Sequence, residues 1–282
     1  MKQGGEKMFK SSVFKRFLRR KVSVIAAIIL IIFFIVAIIG PFLCTQDPIE
    51  QNLKNKYSRP NREHWFGTDN LGRDTFTRMV YGARISLSIS FFGVLSGSIV
   101  GIFMGVFAGY FGGKVDTIIS RSIDILLAFP GLLLAITIVA ILGNGIQNTV
   151  IAVAIFAIPT IARMVRGIVI SIKNSEYIQA CRVMGESDIR IIITHIIPNS
   201  ISQIIVNTTL NFGTAILTAS SLSFLGLGVQ PPNPEWGAML STAREVIRTY
   251  PLGVFVPGIA ITIVVMSFSL VGDGLRDALD PK

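Results

Sequence analysis

Charged residues are scarce in this 282-residue chain: Asp, Glu, Lys and Arg make up 15% of it, whereas soluble domains carry roughly 25%. Five long stretches contain none of these four residue types: 22–46, 85–113, 125–162, 191–234 and 249–272. Each stretch exceeds the roughly 20 residues that a helix needs to cross a bilayer. The composition therefore excludes a soluble globular domain and predicts an integral membrane protein.

Cysteine and histidine are scarce too. The two cysteines, Cys44 and Cys181, are too few for a disulfide framework or a thiolate metal site, and the two histidines, His64 and His195, lie far apart in sequence. We therefore expect no metal site and no cofactor.

The net charge of +10 does not indicate nucleic acid, because a cluster of Lys and Arg precedes the first apolar run and acts as a topology signal. That run is longer than the apolar region of a signal peptide, so we expect an uncleaved anchor.

Turn-forming and helix-breaking residues divide the apolar stretches into six predicted transmembrane helices. The segment 143–148 is a tight hairpin, Pro198 and Asn199 break the start of the fifth helix, and glycines and prolines over 226–232 end it. The predicted helices are 22–43, 84–110, 119–142, 149–169, 201–225 and 251–272. The sequence thus predicts an all-α membrane protein with six transmembrane helices.

The distribution of Lys and Arg favours both termini in the cytoplasm, because positive charge concentrates in the segments on that side. The predicted organisation is then as follows: a basic cytoplasmic N-terminus (1–21), the first helix (22–43), an extracytoplasmic segment (44–83), a five-helix core (84–272) with a cytoplasmic loop (170–198), and a cytoplasmic C-terminus (273–282).

An energy source for transport is missing from the chain. An ion-driven carrier usually keeps an ionisable residue within the bilayer, and none occurs at mid-span here. The segment most similar to a phosphate-binding loop is 112–115. It lacks the first glycine of the Gly-x-x-x-x-Gly-Lys-Ser/Thr pattern and the hydroxyl residue that binds magnesium. The sequence shows no convincing Ser/His/Asp, Cys/His or His-Glu-x-x-His arrangement of catalytic residues. We therefore expect a transport subunit that is not an enzyme and has no ATPase site of its own.

Glycine recurs every fourth residue along the second predicted helix and just beyond it, at Gly93, Gly97, Gly101, Gly105, Gly109 and Gly113. This spacing lets helix backbones approach closely. Four residues advance about 400°, so the stripe drifts about 40° per step and we expect that one straight partner cannot follow all of it. The stripe indicates either packing alone or a helix that slides against its neighbours.

A polar stripe marks one face of the fifth predicted helix: Asn207, Asn211, Thr214, Thr218 and Ser221. Because exposure of these side chains to lipid would be costly, they either hydrogen-bond to adjacent helices or line an aqueous path. An uncharged polar lining suits a carrier of varied solutes.

The cytoplasmic segment after Arg163 is predicted to form a helix, a glycine stop and a second helix. Tyr177, Ala180, Cys181 and Met184 form an apolar stripe, Gly185 suits a left-handed position after the helix, and Ser187 can cap the next helix. Such a short amphipathic helix fits a groove on a partner protein or lies on lipid headgroups.

This loop resembles the EAA motif of permease subunits of bacterial ABC importers, in which Glu-Ala-Ala, a later glycine and a Leu-Pro pair mark the docking site of the ATPase. The matching positions are Gln179, Ala180, Cys181, Gly185, Ile197 and Pro198. Gln179 replaces the usual Glu, and Cys181 replaces the second Ala. The resemblance implies an ATPase-docking role for Tyr177, Gln179, Ala180, Cys181, Met184 and Gly185.

Further segments resemble the C-type permease of dipeptide, oligopeptide and nickel importers: residues 64–74, 81–87, 220–228, 234–240 and 272–281. The segment 64–74 forms either a turn with an N-cap at Asp74 before a helix, or part of an outer gate.

The resemblance implies the type I ABC importer permease architecture in a bacterial plasma (inner) membrane. The expected partners are a homologous second permease subunit, two cytoplasmic ATP-binding subunits, an extracytoplasmic solute-binding protein and the lipid bilayer, with no nucleic acid. The polar stripe would line half of the translocation path. Peptide is the expected solute, and nickel or a metal chelate is the alternative. Outside this family, the alternative functions are a six-helix channel and a membrane scaffold.

Overall fold

The computed structural model describes residues 13–279. Within this range the chain is almost entirely helical, and the only β pairing is an isolated bridge between Thr68 and Asp74. Residues 13–19 are helical, and ten labelled helices follow: α1 Lys21–Leu43, α2 Thr75–Phe111, α3 Gly113–Ala128, α4 Gly131–Leu142, α5 Ile146–Lys173, α6 Glu176–Val183, α7 Asp188–Ile191, α8 Ile197–Phe224, α9 Trp236–Ala243 and α10 Leu252–Leu279. The all-α prediction is confirmed.

Five continuous helical segments of the described chain are long and apolar enough to cross a membrane: α1, α2, α5, the helix Asp188–Phe224, and α10. A sixth crossing exists if the bent pair of α3 and α4 counts as one span. The predicted hairpin at 143–148 is confirmed by a tight connection between α4 and α5, in which Gly143 and Gly145 adopt positive φ angles of 89° and 133°. Glycine reaches these angles without the penalty that a Cβ brings.

The predicted continuous helix over 119–142 is wrong. The chain is helical from Gly113, and its two halves, α3 and α4, meet at an angle of 92°. The break lies at Phe129 and Pro130, where Phe129 is extended with a ψ of 137°. A proline disfavours helical geometry in the residue before it, which explains the break.

The predicted start of the second helix at 84 is also wrong, since α2 begins at Thr75. The Asp74 side chain accepts a hydrogen bond from the backbone N–H of Thr77 at 2.7 Å and thereby caps the helix. Charged residues in the first turns hid this start from a search for apolar runs. One of them, Arg78, is buried and donates to the carbonyl oxygen of Pro48 at 2.7 Å.

The predicted break at Pro198 and Asn199 does not occur. Instead, α7 continues through a π-helical turn, Ile192–Ile196, into α8, so that Pro198 lies in the first turn of α8 inside one long helix. Local π-helical turns accommodate the backbone hydrogen bond that a proline cannot donate. The fifth predicted helix therefore starts well before residue 201.

The glycine stripe of α2 packs along a single partner helix, α5, which contradicts the expectation from its drift. A Cβ added at Gly97 or Gly105 would lie 2.6 Å from a carbonyl oxygen of α5, that of Ala154 or Ala162. The residues of α5 that face the five glycines Gly93 to Gly109 also recur every fourth position: Val153, Ala157, Ile161, Val165 and Val169. Both stripes drift alike, so the two helices can wrap around each other. Gly113 lies outside this contact and begins α3.

Candidate functional site

The polar stripe predicted on the fifth span lies on α8 and is partly accessible. Thr214 is exposed, Asn207, Asn211 and Ser221 are half-buried, and Thr218 is buried. Asn207, Asn211 and Thr218 each donate a hydrogen bond of 2.9 Å to the backbone oxygen four residues back, and Thr214 donates to that of Asn211. The stripe thus satisfies part of its hydrogen bonding within its own helix, where Ser and Thr often bond back in this way.

The stripe continues past its predicted end to Gln203 and Asn199, which follow the same four-residue spacing. These two side chains border a cavity of about 480 Å³ between α5 and α8. The other lining residues come from α5: Arg163, Met164, Gly167, Ile168, Ser171 and Ile172. The four-residue spacing could have indicated both residues from the sequence, but the predicted break at Pro198 placed Asn199 outside the helix.

Helix α6, which carries the predicted docking residues, is anchored to the helical core by one of its faces. Ile178 and Cys181 are buried in an apolar cluster with residues of α2, α5 and α7, among them Tyr110 and Val165. Burial in this position, together with the neighbouring Glu186 carboxyl, raises the pKa of the Cys181 thiol. Cys181 thus contacts the interior of the chain and is absent from the exposed face.

The opposite face of α6 is exposed and partly apolar, with the charged Glu176 and Arg182 also exposed on this helix. It carries Tyr177, Gln179, Ala180 and Met184 and ends at the exposed Gly185. Val183 and Ile189, which are not among the predicted docking residues, extend this surface and expose 90% and 69% of their area. Tyr177, Val183 and Met184 lie outside the candidate membrane spans, and apolar side chains this exposed there are typical of a contact surface.

The turn after α6 has the predicted glycine geometry. Gly185 has a φ of +81°, its N–H donates to the oxygen of Arg182 at 3.0 Å, and the N–H of Glu186 donates to that of Cys181 at 3.1 Å. These two bonds form a Schellman motif, which ends a helix with a left-handed residue. Ser187 occupies the N-cap position of α7, although its side chain donates and accepts no capping hydrogen bond.

The segment 44–74 is tied to the helices by polar contacts. The His64 ring lies 3.0 Å from a carboxyl oxygen of Asp74, the N-cap of α2, which matches the turn and N-cap predicted for this region. The Tyr250 hydroxyl donates to the carbonyl oxygen of Phe66 at 2.6 Å and contacts the Thr75 hydroxyl. Burial raises the pKa of Tyr250 to about 12, so this hydroxyl keeps its proton at neutral pH.

Comparison with known proteins identifies the family. The model of the binding-protein-dependent transport system inner membrane component matches residues 101–282, and that of the N-terminal TM domain of oligopeptide transport permease C matches residues 9–60. The dipeptide transport system permease protein DppC of Alkalihalophilus pseudofirmus is 51% identical over 95% of this chain and 88% of its own length. The glutathione transport system permease protein GsiD of Escherichia coli is 48% identical over 95% of this chain and 89% of its own length.

Solved structures share the fold at low sequence identity. A chain of the MetNI methionine ABC transporter in an inward facing conformation superposes with a TM-score of 0.60 at 19% identity, covering 72% of this chain and 97% of that one. A chain of an amino acid ABC transporter superposes with a TM-score of 0.55 at 17% identity, covering 70% and 92%. The fold is that of a type I ABC importer permease.

The chain therefore belongs to the family of binding-protein-dependent transport system inner membrane components. Within it, the chain is a C-type permease of the peptide and nickel group. It is a multi-pass protein of the bacterial inner membrane and a permease subunit of an ABC importer.

Proposed function

We propose that this chain forms half of the translocation path for short peptides and that α6 docks a cytoplasmic ATPase. The observation that carries the proposal is the pairing of two surfaces on one continuous stretch of chain. The polar face of α8 runs from Asn199 to Ser221, and the exposed apolar face of α6 lies just before the helix that leads into α8.

The choice of peptide rests on the relatives and on the chemistry of the stripe. One relative carries a dipeptide permease name, and another carries the name of a permease for glutathione, which is a tripeptide. Peptides share amide groups and differ in their side chains. Neutral Asn, Thr and Ser groups bond amides without favouring one side-chain charge, so the α8 face suits this variety.

The exposed face of α6 supports docking to an ATPase. Tyr177, Val183 and Met184 supply apolar area outside the membrane spans, while Ile178 and Cys181 fix the helix to the core from behind. A helix held in this way moves together with α5 and α8 when a partner pulls on it. When the two ATPases close and separate, the path between the helices would then open alternately to the two sides of the membrane.

The remaining partners are those expected for a permease of the ABC importer family. A homologous second permease supplies the other half of the path as a heterodimer, and an extracytoplasmic binding protein delivers the solute. Hydrolysis takes place on the ATPase subunits, and this chain has no catalytic role. Both termini lie in the cytoplasm, on the side of the positively charged segments.

Reconstitution tests this function. The chain is coexpressed with a partner permease, two ATPases and a binding protein from its own genome, purified as a complex, and placed in proteoliposomes with ATP inside. We expect uptake of a labelled dipeptide that requires binding protein and ATP. A complex that copurifies both ATPases but imports only nickel chelates would contradict the peptide assignment, and a chain that conducts solute without ATPases would contradict the importer mechanism.

A further inference from the structure

Three metal-ligating side chains meet beside α6. The Cys181 thiol, the Glu186 carboxyl and the His195 ring offer ligand atoms that all lie within 4.8 Å of one another. The His195 Nε2 atom lies 3.7 Å from the Cys181 Sγ atom and 3.2 Å from a Glu186 carboxyl oxygen, Oε2. Cys181 belongs to α6, Glu186 follows the Gly185 turn, and His195 lies in the π-helical turn.

These separations match the edges of a tetrahedral metal site. With Zn–S near 2.3 Å and Zn–N and Zn–O near 2.0 to 2.2 Å, tetrahedral angles place sulfur and nitrogen about 3.6 Å apart and nitrogen and oxygen about 3.3 Å apart. The observed distances are 3.7 Å and 3.2 Å. Two of the three edges therefore match a tetrahedral site, and the third, between the Cys181 thiol and the Glu186 carboxyl, is at most 4.8 Å.

The surroundings hold two of the ligands in place. Arg190 Nε lies 3.1 Å from the other oxygen of Glu186, Oε1, which leaves Oε2 for the site. The Tyr177 ring packs edge-on against the His195 ring, with 6.3 Å between centroids. A charged partner on a ligating carboxylate, such as Arg190 on Glu186, orients metal ligands in known sites. The His195 side chain keeps 29% of its area exposed, so the site stays open to solvent on one side.

The position of His195 depends on the π-helical turn Ile192–Ile196. Such single π turns occur frequently at functional sites, because the wider turn changes the direction of the side chains it carries. This turn brings His195 to Cys181, 14 positions earlier in the chain. The sequence alone indicated no metal site, since neither the π turn nor the fold-back of α6 was visible in it.

We propose that Cys181, Glu186 and His195 bind one divalent transition-metal ion of borderline softness, with Zn²⁺ the best fit and solvent in the fourth position. One sulfur, one imidazole and one carboxylate suit Zn²⁺ or Co²⁺, whereas Mg²⁺ and Ca²⁺ require mostly oxygen ligands. The ion would join α6 to the helix that leads into α8. Its effect on import rests on the docking role proposed for α6, whereas binding itself does not.

A Co²⁺ titration of the full chain purified in detergent tests the site. We expect one ion per chain, with the intense visible bands of tetrahedral Co²⁺ and a thiolate charge-transfer band, both removed by added Zn²⁺. Cys181→Ser should abolish the charge-transfer band, and His195→Gln should weaken binding about tenfold or more. Cys44→Ser and His64→Gln are the matched controls and should bind as the unmodified chain does.

A second measurement avoids reliance on the folding of the variants. In the unmodified chain, Zn²⁺ should slow alkylation of Cys181, and this protection should be absent in His195→Gln. A folded chain that gives no Co²⁺ spectrum and no protection overturns the proposal, as does equal loss of the spectrum in Cys44→Ser. Ala180→Asp retains all three ligands, so it should bind Co²⁺ normally even if it loses the ATPase; this separates failure of the metal site from failure of docking.

Discussion

The Tyr110 hydroxyl donates a hydrogen bond of 2.5 Å to a carboxyl oxygen of Asp188 and so joins the end of α2 to the start of α7. The Tyr110 ring is buried, and the Arg182 guanidinium of α6 lies 5.1 Å from its centroid. Both sides of the Gly185 turn thus contact one residue of α2. These contacts link α6 and the turn after it to α2, in addition to the apolar contacts with α5.

Removal of this hydroxyl tests that link. Tyr110→Phe keeps the ring but loses a hydrogen bond to a charged acceptor, which is typically about 1.5–3 kcal/mol. We expect the complex to assemble and to hydrolyse ATP at its basal rate, while stimulation by loaded binding protein falls several-fold. Tyr81→Phe, which loses a bond to the Pro41 carbonyl oxygen at the other end of α2, is the control. Full stimulation in Tyr110→Phe would show that the bond plays no part in coupling.

The docking face of α6 is tested by Ala180→Asp. If an ATPase groove covers Ala180, the change buries an unpaired carboxylate at a cost of several kcal/mol, and each 1.4 kcal/mol weakens docking about tenfold. We expect the ATPases to be lost during purification. Gln179→Glu, which restores the usual residue of the motif, should be tolerated. If Ala180→Asp complexes keep both ATPases and import normally, α6 lies on lipid or solvent instead.

The turn after α6 should respond differently from its face. Gly185→Val places a β-branched residue at a φ of +81°, which is strained although no atom lies within 4 Å of the added Cβ. We expect this variant to retain the ATPases but to lose stimulation of ATP hydrolysis by loaded binding protein. Gly226→Val, at a φ of +77° with no atom within 4 Å of the added Cβ, is the control, because it introduces the same strain away from α6. Normal stimulation in Gly185→Val would mean that the turn geometry does not transmit the motion.

The polar face of α8 is tested by Thr214→Leu, Asn207→Leu and Asn211→Leu. Each change removes a group that can hydrogen-bond to the solute. The loss of one such bond costs about 0.5–1.5 kcal/mol, which corresponds to roughly two- to tenfold slower uptake. Thr209→Leu is the matched control, because Thr209 makes the same bond to its own helix but lies about 200° around α8 from the stripe. Unchanged uptake in all three stripe variants, or an equal loss in Thr209→Leu, would assign the stripe to helix packing.

Thiol labelling of intact cells tests the orientation. In a chain without Cys44 and Cys181, expressed without the ATPase subunits, Val183→Cys places an accessible thiol on α6, and Lys54→Cys places one in the exposed part of the segment 44–74. A membrane-impermeant maleimide should label Lys54→Cys from outside and should reach Val183→Cys only after permeabilisation. Labelling of Val183→Cys in intact cells would show that α6 lies outside the cell, which contradicts the predicted topology.

Much of the fold could be predicted from sequence because a membrane span is a local property. Twenty uncharged residues in a row must satisfy their backbone bonds as a helix in lipid, whatever surrounds them. The same holds for the hairpin at 143–145 and the left-handed Gly185, whose glycines indicate their own geometry. The errors at Thr75, Pro130 and Pro198 have a common cause: caps, bends and π turns depend on a few backbone atoms and leave little trace in hydropathy.

Only the tertiary structure decided which faces meet. The glycine stripe of α2 finds a single partner because α5 carries a stripe of the same period, a match that neither helix shows alone. Cys181 belongs to the apolar stripe of α6 in sequence, yet the fold turns it inward to His195 and leaves Val183 exposed. The sequence determined which segments cross the membrane through their length and polarity. Packing determined which residues of those segments remain free to contact a partner, since burial depends on neighbours far away in the chain.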